Sequence, residues 1–529
     1  MGGGAVANFS SDAAAYVHLL DPNRKWYNNR RLIALHGWIF LLWVTTSTNG
    51  YDGSMMNGLQ SLHQWADYFH HPSGGRLGLL NAIQNIGALA AYPFAPYVSD
   101  YFGRRTGVFL GATIMIIATA VQTASQSDGM FIGARYTFDS SLCPNAAPML
   151  VTELSYPSYR AQLTAAYNSL WYTGAIIAAW STYGTFKINN TWAWRIPSAL
   201  QGITAVLQFA LIWFVPESPR YLISKGKDEK AIKTLAYYHA DGNQDDPLVK
   251  YEYEEIKAAL AFDQEVASNV GWKSLIATPG NRKRMRLIVA LAFFSQWSGN
   301  GMVSYYLNKV FDSIGITNST IQLLINGILQ IWNLAWALAA SFMCERLGRR
   351  FLFTVSAAGM LIFFTSQTIC SARFAIGGSA AAAHAVIAFI FLFYAAYDIA
   401  FSPLIVSYTV EILPFNLRAK GFNVFNFSIS CALIFNQYIN PIAFDAIKWK
   451  YYIVYCCWLV VELVVVIWLV VETKGRTLEE TAALFDGEGA TTEIVDHAKV
   501  FVTGETEKED SEKKSSTDFI VHNDHVGKN

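Results

Sequence analysis

Charge is scarce in this 529-residue chain: Asp, Glu, Lys and Arg make up 15% of it, where a soluble globular protein carries about 25%. With 53% of residues apolar and 15% aromatic, so little charge excludes a water-soluble globule. Neither sign is in excess, since 39 basic residues face 39 acidic ones, and without a global field there is nothing to gather nucleic acid or an acidic partner. Cysteine is thin as well. The six cysteines, Cys143, Cys344, Cys370, Cys431, Cys456 and Cys457, are too few to staple a chain this long, and all lie in apolar stretches, where they read as packing residues. The first 30 residues lack the apolar core and small-residue cleavage site of a signal peptide. No nucleophile–base pair, metal-ligand cluster or phosphate-binding glycine loop is present, and the Gly-Arg-Arg turns lack a Walker lysine and hydroxyl. The chain therefore reads as no enzyme, with no cofactor, metal or nucleotide required.

What is abundant is apolar length. A bilayer core of about 30 Å needs about 20 apolar residues per helix, and about twelve such runs are present, near 34–57, 77–98, 107–126, 130–153, 163–184 and 196–215, then 286–311, 321–344, 351–372, 383–411, 420–444 and 451–471. The expected organisation is an all-α integral membrane protein. A cytoplasmic tail, 1–33, precedes a six-helix half, 34–215; a charged helical connector, 216–285, leads to a second half, 286–471, and a polar tail, 472–529. Both ends read as poorly packed. Arg24, Lys25, Arg30, Arg31, Arg104, Arg105, Arg160, Arg349, Arg350, Arg418 and Lys420 all fall on one side of this topology, which makes that side and both termini cytoplasmic. The sequons Asn189-Asn-Thr and Asn318-Ser-Thr fall outside, as candidate glycosylation sites.

The charged punctuation occurs twice. Asp100-Tyr-Phe-Gly-Arg104-Arg105 returns 245 residues later as Glu345-Arg-Leu-Gly-Arg349-Arg350. Glu153, seven residues before Arg160, returns as Glu411, seven before Arg418. Pro216-Glu217-Ser-Pro-Arg220 has a looser echo around Glu472, 255 residues on from Glu217. Near-equal offsets describe two parallel six-helix repeats, and such repeats place a substrate site near the midplane between them, with transport by rocking. Any one of these clusters alone reads as a positive anchor at a helix end. Their repetition favours arginine forks bridging to Glu153 or Glu411, a cytoplasmic latch that closes in one conformation and opens in the other.

In these residues the chain resembles the sugar porter family of the major facilitator superfamily: Asp-x-x-Gly-Arg-Arg, Pro-Glu-Ser-Pro-Arg and Glu472-Thr-Lys-Gly-Arg-Thr-Leu-Glu-Glu are its signatures, in order over almost the whole length. Asn49-Gly-Tyr-Asp-Gly, Tyr167-Asn-Ser-Leu-Trp, Phe294-Ser-Gln-Trp-Ser-Gly-Asn-Gly and Glu411-Ile-Leu-Pro-Phe-Asn-Leu-Arg-Ala-Lys-Gly resemble the fungal lactose-permease and cellodextrin-transporter branch. The resemblance implies a plasma-membrane, proton-coupled importer of a mono- or disaccharide, working as a monomer by alternating access. Its partners are the sugar, protons and the bilayer. The pattern departs in three places: Asp139 stands one turn beyond Arg135 where a small residue is usual, span eleven lacks a tryptophan near Ser430, and Val471 replaces a proline.

Sugar hydroxyls call for amides, and sugar C–H faces for aromatic rings. Gln296 and Asn300 are four apart and share a helix face, with Trp297 beside them. Tyr305, Tyr306, Asn168, Trp171, Asn333, Trp336, Asn426, Asn436 and Gln437 extend the candidates, while Trp332 reads as packing. The competing reading is helix–helix hydrogen bonding. The resemblance implies that Gln296, Tyr305 and Asn333 touch sugar, that Asn168 stands at a glutamine contact, that Asp52 binds the coupling proton, and that Arg135 pairs with it. Asp52 lies among Gly50 and Gly53, where a helix break is cheap. Asp139 is a rival partner for Arg135. Asp398 is a candidate for gating and Glu462 for a packed structural acid. A non-transporting sugar sensor and a metabolite exporter on the same fold are the alternative functions.

Overall fold

A computed structural model describes residue 19 and residues 24–138, 142–269, 271–474 and 484–485, with some helical side chains, Asn168 and Glu345 among them, outside that description. Asp139 and most of the C-terminal tail lie outside the described residues. Among the described residues the regular structure is helical, with no strand. The helices follow the apolar runs in twelve lengths, numbered here as spans. The first six are Arg30–Gln60, Gly74–Ala91 continued by Ala95–Phe102, Arg104–Thr123, Asp128–Phe138 with Leu142–Leu154, Pro157–Ser169 with Trp171–Thr185, and Trp192–Leu211. The second six are Pro279–Trp297 with Asn300–Ser313, Ser319–Leu347, Arg349–Gly377, Ala380–Ala400 with Leu404–Ile412, Phe415–Ile447 and Tyr451–Leu469. By length and apolarity alone, six continuous stretches among the described residues are able to cross a membrane, Lys420–Leu469 counted as one. Spans one, two, four, five and seven fall outside that set because they are interrupted or polar; span one buries Thr45, Thr46, Thr48, Asp52, Ser54 and Asn57.

Two boundaries differ from the sequence expectation. Span seven begins at Pro279, inside the expected connector: the Thr278 hydroxyl accepts the Asn281 N–H at 3.1 Å, and Pro279 takes the first helical position, where its missing N–H costs nothing. The basic residues Arg282, Lys283, Arg284 and Arg286 hid this start from an apolar count. Span one begins at Arg30, capped by Asn29, whose side chain accepts from Arg31 N and Leu32 N. The connector forms helices Pro219–Ser224, Asp228–His239, Pro247–Asn269 and Ser274–Ala277. It packs on the first half, with Arg24 3.2 Å from Asp241, Asn29 donating to Asp241 at 2.8 Å, and Arg160 3.5 Å from Glu252.

Each half has its own apolar core, one built on Leu35, Leu42, Met115 and Leu150, the other on Ile288, Phe311, Phe364 and Leu459. A third cluster, at the end away from the Gly-Arg-Arg turns, combines Met55, Leu59, Trp65 and Phe131 of the first half with Tyr306 and Leu323 of the second. Cross-half hydrogen bonds gather there too: Gln60 to the Tyr305 carbonyl at 2.9 Å, Leu307 N–H to Asn57 at 3.1 Å, Asn308 to the Gln60 carbonyl at 3.3 Å and Gly74 N–H to Asp445 at 3.0 Å.

Span one does not break at Asp52; the helix runs unbroken from Arg30 to Gln60. Its glycine serves a close crossing instead. A Cβ on Gly50 would run into the Trp171 carbonyl, and a Cβ on Gly174 into the Ser47 carbonyl, so spans one and five touch backbone to backbone, as small residues permit within a membrane.

Candidate functional site

Asp52 is 1% exposed at a depth where an isolated charge costs about 2.5–3.5 kcal/mol on insertion scales. Side chains from three other spans offset that cost. Arg135 of span four places Nη1 3.1 Å from Asp52 Oδ1, and Gln201 of span six donates to the same oxygen at 2.6 Å. Arg135 Nη2 donates to Gln84 of span two at 2.7 Å, and Nε to the Leu80 carbonyl at 3.1 Å. A planar guanidinium reaches all three acceptors at once, which an ammonium cannot. Asp52 Oδ2 is buried with no hydrogen-bond partner. The cluster is thus a paired carboxylate with one open oxygen: a proton added there removes the charge that Arg135 answers. Among the described residues the acid beside Arg135 is Asp52; Asp139 lies outside them.

The two Gly-Arg-Arg turns are built alike. Glu217 Oε1 accepts the backbone N–H groups of Arg104 and Arg105, both at 3.2 Å; Glu472 accepts those of Arg349 and Arg350 at 2.9 and 3.0 Å. Gly103 and Gly348, with φ of +105° and +88°, open the helices that carry these amides, and a Cβ on either would press on the glutamate. The side chains repeat as well. Arg104 lies 3.3 Å from Glu153 and 3.0 Å from Asp100, while Arg349 lies 3.0 Å from Glu411. Arg105 donates to the Trp213 carbonyl and Arg350 to that of Ile467. The glutamates differ in protonation. Burial raises Glu217 above the usual carboxylate value despite the N–H groups of Ser218 and Arg105. At Glu472 burial acts in the same sense but is outweighed by the N–H groups of Lys474, Arg349 and Arg350, which leave its value lowered.

Other residues expected in the latch take different places. Arg160 meets Glu252 of the connector rather than Glu153. Arg220 lies in the short helix Pro219–Ser224. Arg418 is buried, with Nη2 donating to the Leu413 carbonyl at 3.3 Å. The Glu345 side chain is outside the description. Asn189 and Asn318 are both exposed, and Asn318 caps span eight through Thr320 N–H at 2.9 Å.

The candidate sugar contacts are only partly joined. Gln296 is half-buried; its side-chain amide N–H donates to Ser295 Oγ at 3.2 Å, and its backbone carbonyl accepts from Asn436 at 2.5 Å. Asn300 donates to the Ser295 carbonyl at 3.1 Å and leaves its side-chain oxygen unpartnered. Asn333 is 2% exposed with an unpartnered carbonyl oxygen. Unpaired amide oxygens inside a membrane are expensive, and two of them lie on spans that face the first half. Trp171 packs on span one, its ring against Gly53 and edge-on to Tyr172 at 5.2 Å. Trp336 stacks edge-on with Trp332, which donates to the Phe391 carbonyl at 2.9 Å, a packing arrangement.

Sequence reasoning missed Gln84, Gln201, Asn57 and Tyr172. Tyr172 of span five donates to Asp398 of span ten at 2.6 Å, across the two halves, and Asn57 joins Asn326 at 3.3 Å. A usable signal existed for Gln201: it lies seven residues from Gln208 on one face of an apolar span, and Gln208 bonds Thr45 of span one at 2.5 Å.

A family model described as "Sugar (and other) transporter" matches residues 38–485. The chain belongs to that sugar transporter family. An MFS-type transporter of Aspergillus oryzae is 29% identical over 84% of this chain and 85% of its own. The high-affinity glucose transporter of Kluyveromyces lactis is 26% identical over 83% of each. Among solved structures, the proton:xylose symporter XylE bound to a bromodeoxyglucose matches with a TM-score of 0.68 at 23% identity, covering 85% of this chain and 99% of that one. The likeness shows the major facilitator fold, and these relatives are transporters rather than enzymes. In this sugar transporter the buried acid–arginine pair therefore sits inside a multi-pass membrane carrier.

Proposed function

We propose that this sugar transporter imports a mono- or disaccharide together with a proton across the plasma membrane, as a monomer, by alternating access. The observation that carries the reading is the Asp52–Arg135–Gln201 cluster: a carboxylate with one open oxygen, whose protonation uncouples it from a buried cation. Protonation from outside releases Arg135 and permits the inward change; loss of the proton inside restores the pair. A membrane potential of about 100 mV adds about 2.3 kcal/mol per charge, enough for about fifty-fold accumulation. The name of the XylE relative, a proton:xylose symporter, supports coupling of this kind.

The basic turns put the Arg104–Arg105 and Arg349–Arg350 ends in the cytoplasm. On that orientation the cross-half bonds of Gln60, Asn57, Asn308 and Gly74 close the outer side, and the conformation faces inward. Sugar meets Gln296, Tyr305, Asn333 and Asn300, with Asn168, Trp171 and Trp336 at the edges. The paired turns latch the cytoplasmic ends of the spans. The motifs around Asn49, Tyr167, Phe294 and Glu411 favour the lactose and cellobiose class within the family.

The test is Asp52→Asn in proteoliposomes loaded for uptake. Accumulation driven by an imposed pH gradient should vanish while sugar counterflow persists. Uphill accumulation at the wild-type level would sink the proton-coupling assignment.

A further inference from the structure

A second buried ion cluster lies outside the membrane spans, where the connector meets the first half. His239, the last residue of the helix Asp228–His239, is 3% exposed. Its Nδ1 lies 2.7 Å from Glu252 Oε2 and its Nε2 3.3 Å from the Leu154 carbonyl oxygen. A carboxylate oxygen and a carbonyl oxygen only accept. Neutral imidazole has one N–H, so in either tautomer one ring nitrogen presents a lone pair to an acceptor. The imidazolium satisfies both contacts.

We propose that His239 is a proton-binding site that docks the connector onto the first half, and that the protein thereby senses the pH of the compartment facing its Gly-Arg-Arg turns. This site is separate from Asp52 and does not rest on proton coupling there. The charged and titratable groups facing it are few. Glu252, on the helix Pro247–Asn269, favours the cation, and its other oxygen meets Arg160 at 3.5 Å. Tyr156, in the turn between spans four and five, presents its ring edge-on at 5.4 Å. Arg24 lies over that ring at 5.6 Å and is itself answered by Asp241 at 3.2 Å. Arg160 and Arg24 oppose a positive charge on His239; Arg24 is answered by Asp241, Arg160 shares Glu252 with the imidazole, and Glu252 is the group in direct contact with the ring.

The sign follows from the contacts. Undocked, the imidazole bonds to water whether or not it carries the second proton. Docked, it makes both bonds only when protonated, so docking is stabilised at acid pH and weakens as pH rises. The contact between Arg160 and Glu252 does not involve the imidazole proton, so the connector loosens rather than unfolds. The docking joins the turn at Leu154 to a connector that leads to span seven, so a looser connector frees the first half to rock.

Hydrogen–deuterium exchange on the full-length protein in detergent, over a series from pH 6 to pH 8 and corrected for intrinsic exchange, reads this directly. Peptides within 228–261 should be about tenfold better protected at pH 6 than at pH 8, while peptides within 349–377 show no such change. His239→Gln should abolish the dependence. Glu252→Gln keeps an acceptor but removes the charge, and should move the midpoint about one pH unit lower; this arm stands if the His239 variant fails to fold. Equal protection of 228–261 across the series in the wild type, an unaltered dependence in His239→Gln, or an unmoved midpoint in Glu252→Gln would each overturn the proposal.

Discussion

Replacing Arg135 by lysine keeps the charge in the buried cluster and discards the fork. The three arms of Arg135 now reach Asp52 at 3.1 Å, Gln84 at 2.7 Å and the Leu80 carbonyl at 3.1 Å. An ammonium placed at Asp52 leaves the other two without their cationic donor. Hydrogen bonds to charged groups contribute about 1.5–3 kcal/mol each, so the variant should lose about 3–6 kcal/mol of interaction, reduced by whatever the Gln84 amide recovers on turning. The Coulombic pair with Asp52 survives. Arg135→Gln behaves differently, because it leaves a buried carboxylate uncompensated, at about 3–5 kcal/mol. Thermal melting in detergent and two proteoliposome assays, pH-driven uptake and counterflow, separate the cases. For Arg135→Lys we expect a lower melting temperature and pH-driven accumulation down at least tenfold, with counterflow within a few-fold of wild type. If Arg135→Lys melts and accumulates like the wild type, the fork does not matter, and the cluster needs only a positive charge.

Two further outcomes follow from single contacts. Tyr172→Phe deletes the 2.6 Å bond to Asp398 that ties span five to span ten; a buried side-chain hydrogen bond worth about 0.5–1.5 kcal/mol shifts the balance between conformations about two- to tenfold. Cysteine accessibility from the two sides of the membrane should show the present conformation depleted, and unaltered accessibility would mean that the tie survives both states. Acidification should act differently on the two Gly-Arg-Arg turns. Glu472, held low by its N–H donors, contributes stability that is lost as the pH falls through the carboxylate range, whereas Glu217, raised by burial, binds a proton more readily in the closed turn than in the open one, so acid does not open the Arg104–Arg105 turn. Along a falling pH series amide exchange should rise at Arg349 and Arg350 and not at Arg104 and Arg105; opening of the Arg104–Arg105 turn first would contradict the assigned shifts.

The amino-acid sequence alone determined the class of this protein. Twelve apolar lengths, basic residues on one side, and twice-repeated Gly-Arg-Arg turns with their acids are properties of composition and spacing, and they specify two helical halves whatever the packing. The turns were legible for the same reason: a glycine at positive φ beside backbone amides aimed at a glutamate is local, within reach of a few residues and one distant acid. Asp52 stood out because charge in a membrane is rare, whereas its pairing with Arg135 was implied by the resemblance to the sugar porters.

Tertiary structure decided what those rare groups touch. Gln84 and Gln201 are ordinary amides in the sequence; they become part of the cluster because spans two and six bring them to Arg135 and Asp52. The glycine before Asp52 reads locally as a cheap break, yet the helix is unbroken, because Gly50 lets the Trp171 carbonyl approach. Arg160 has Glu153 seven residues away in sequence and pairs with Glu252 instead, since the connector lays an acid against it. Span seven starts within a basic stretch because a Thr-Pro cap outweighs the charge. In each case the local pattern allowed more than one partner, and the packing of distant helices selected among them: burial makes an unpaired polar group so costly that the partner at hand is the one the fold keeps.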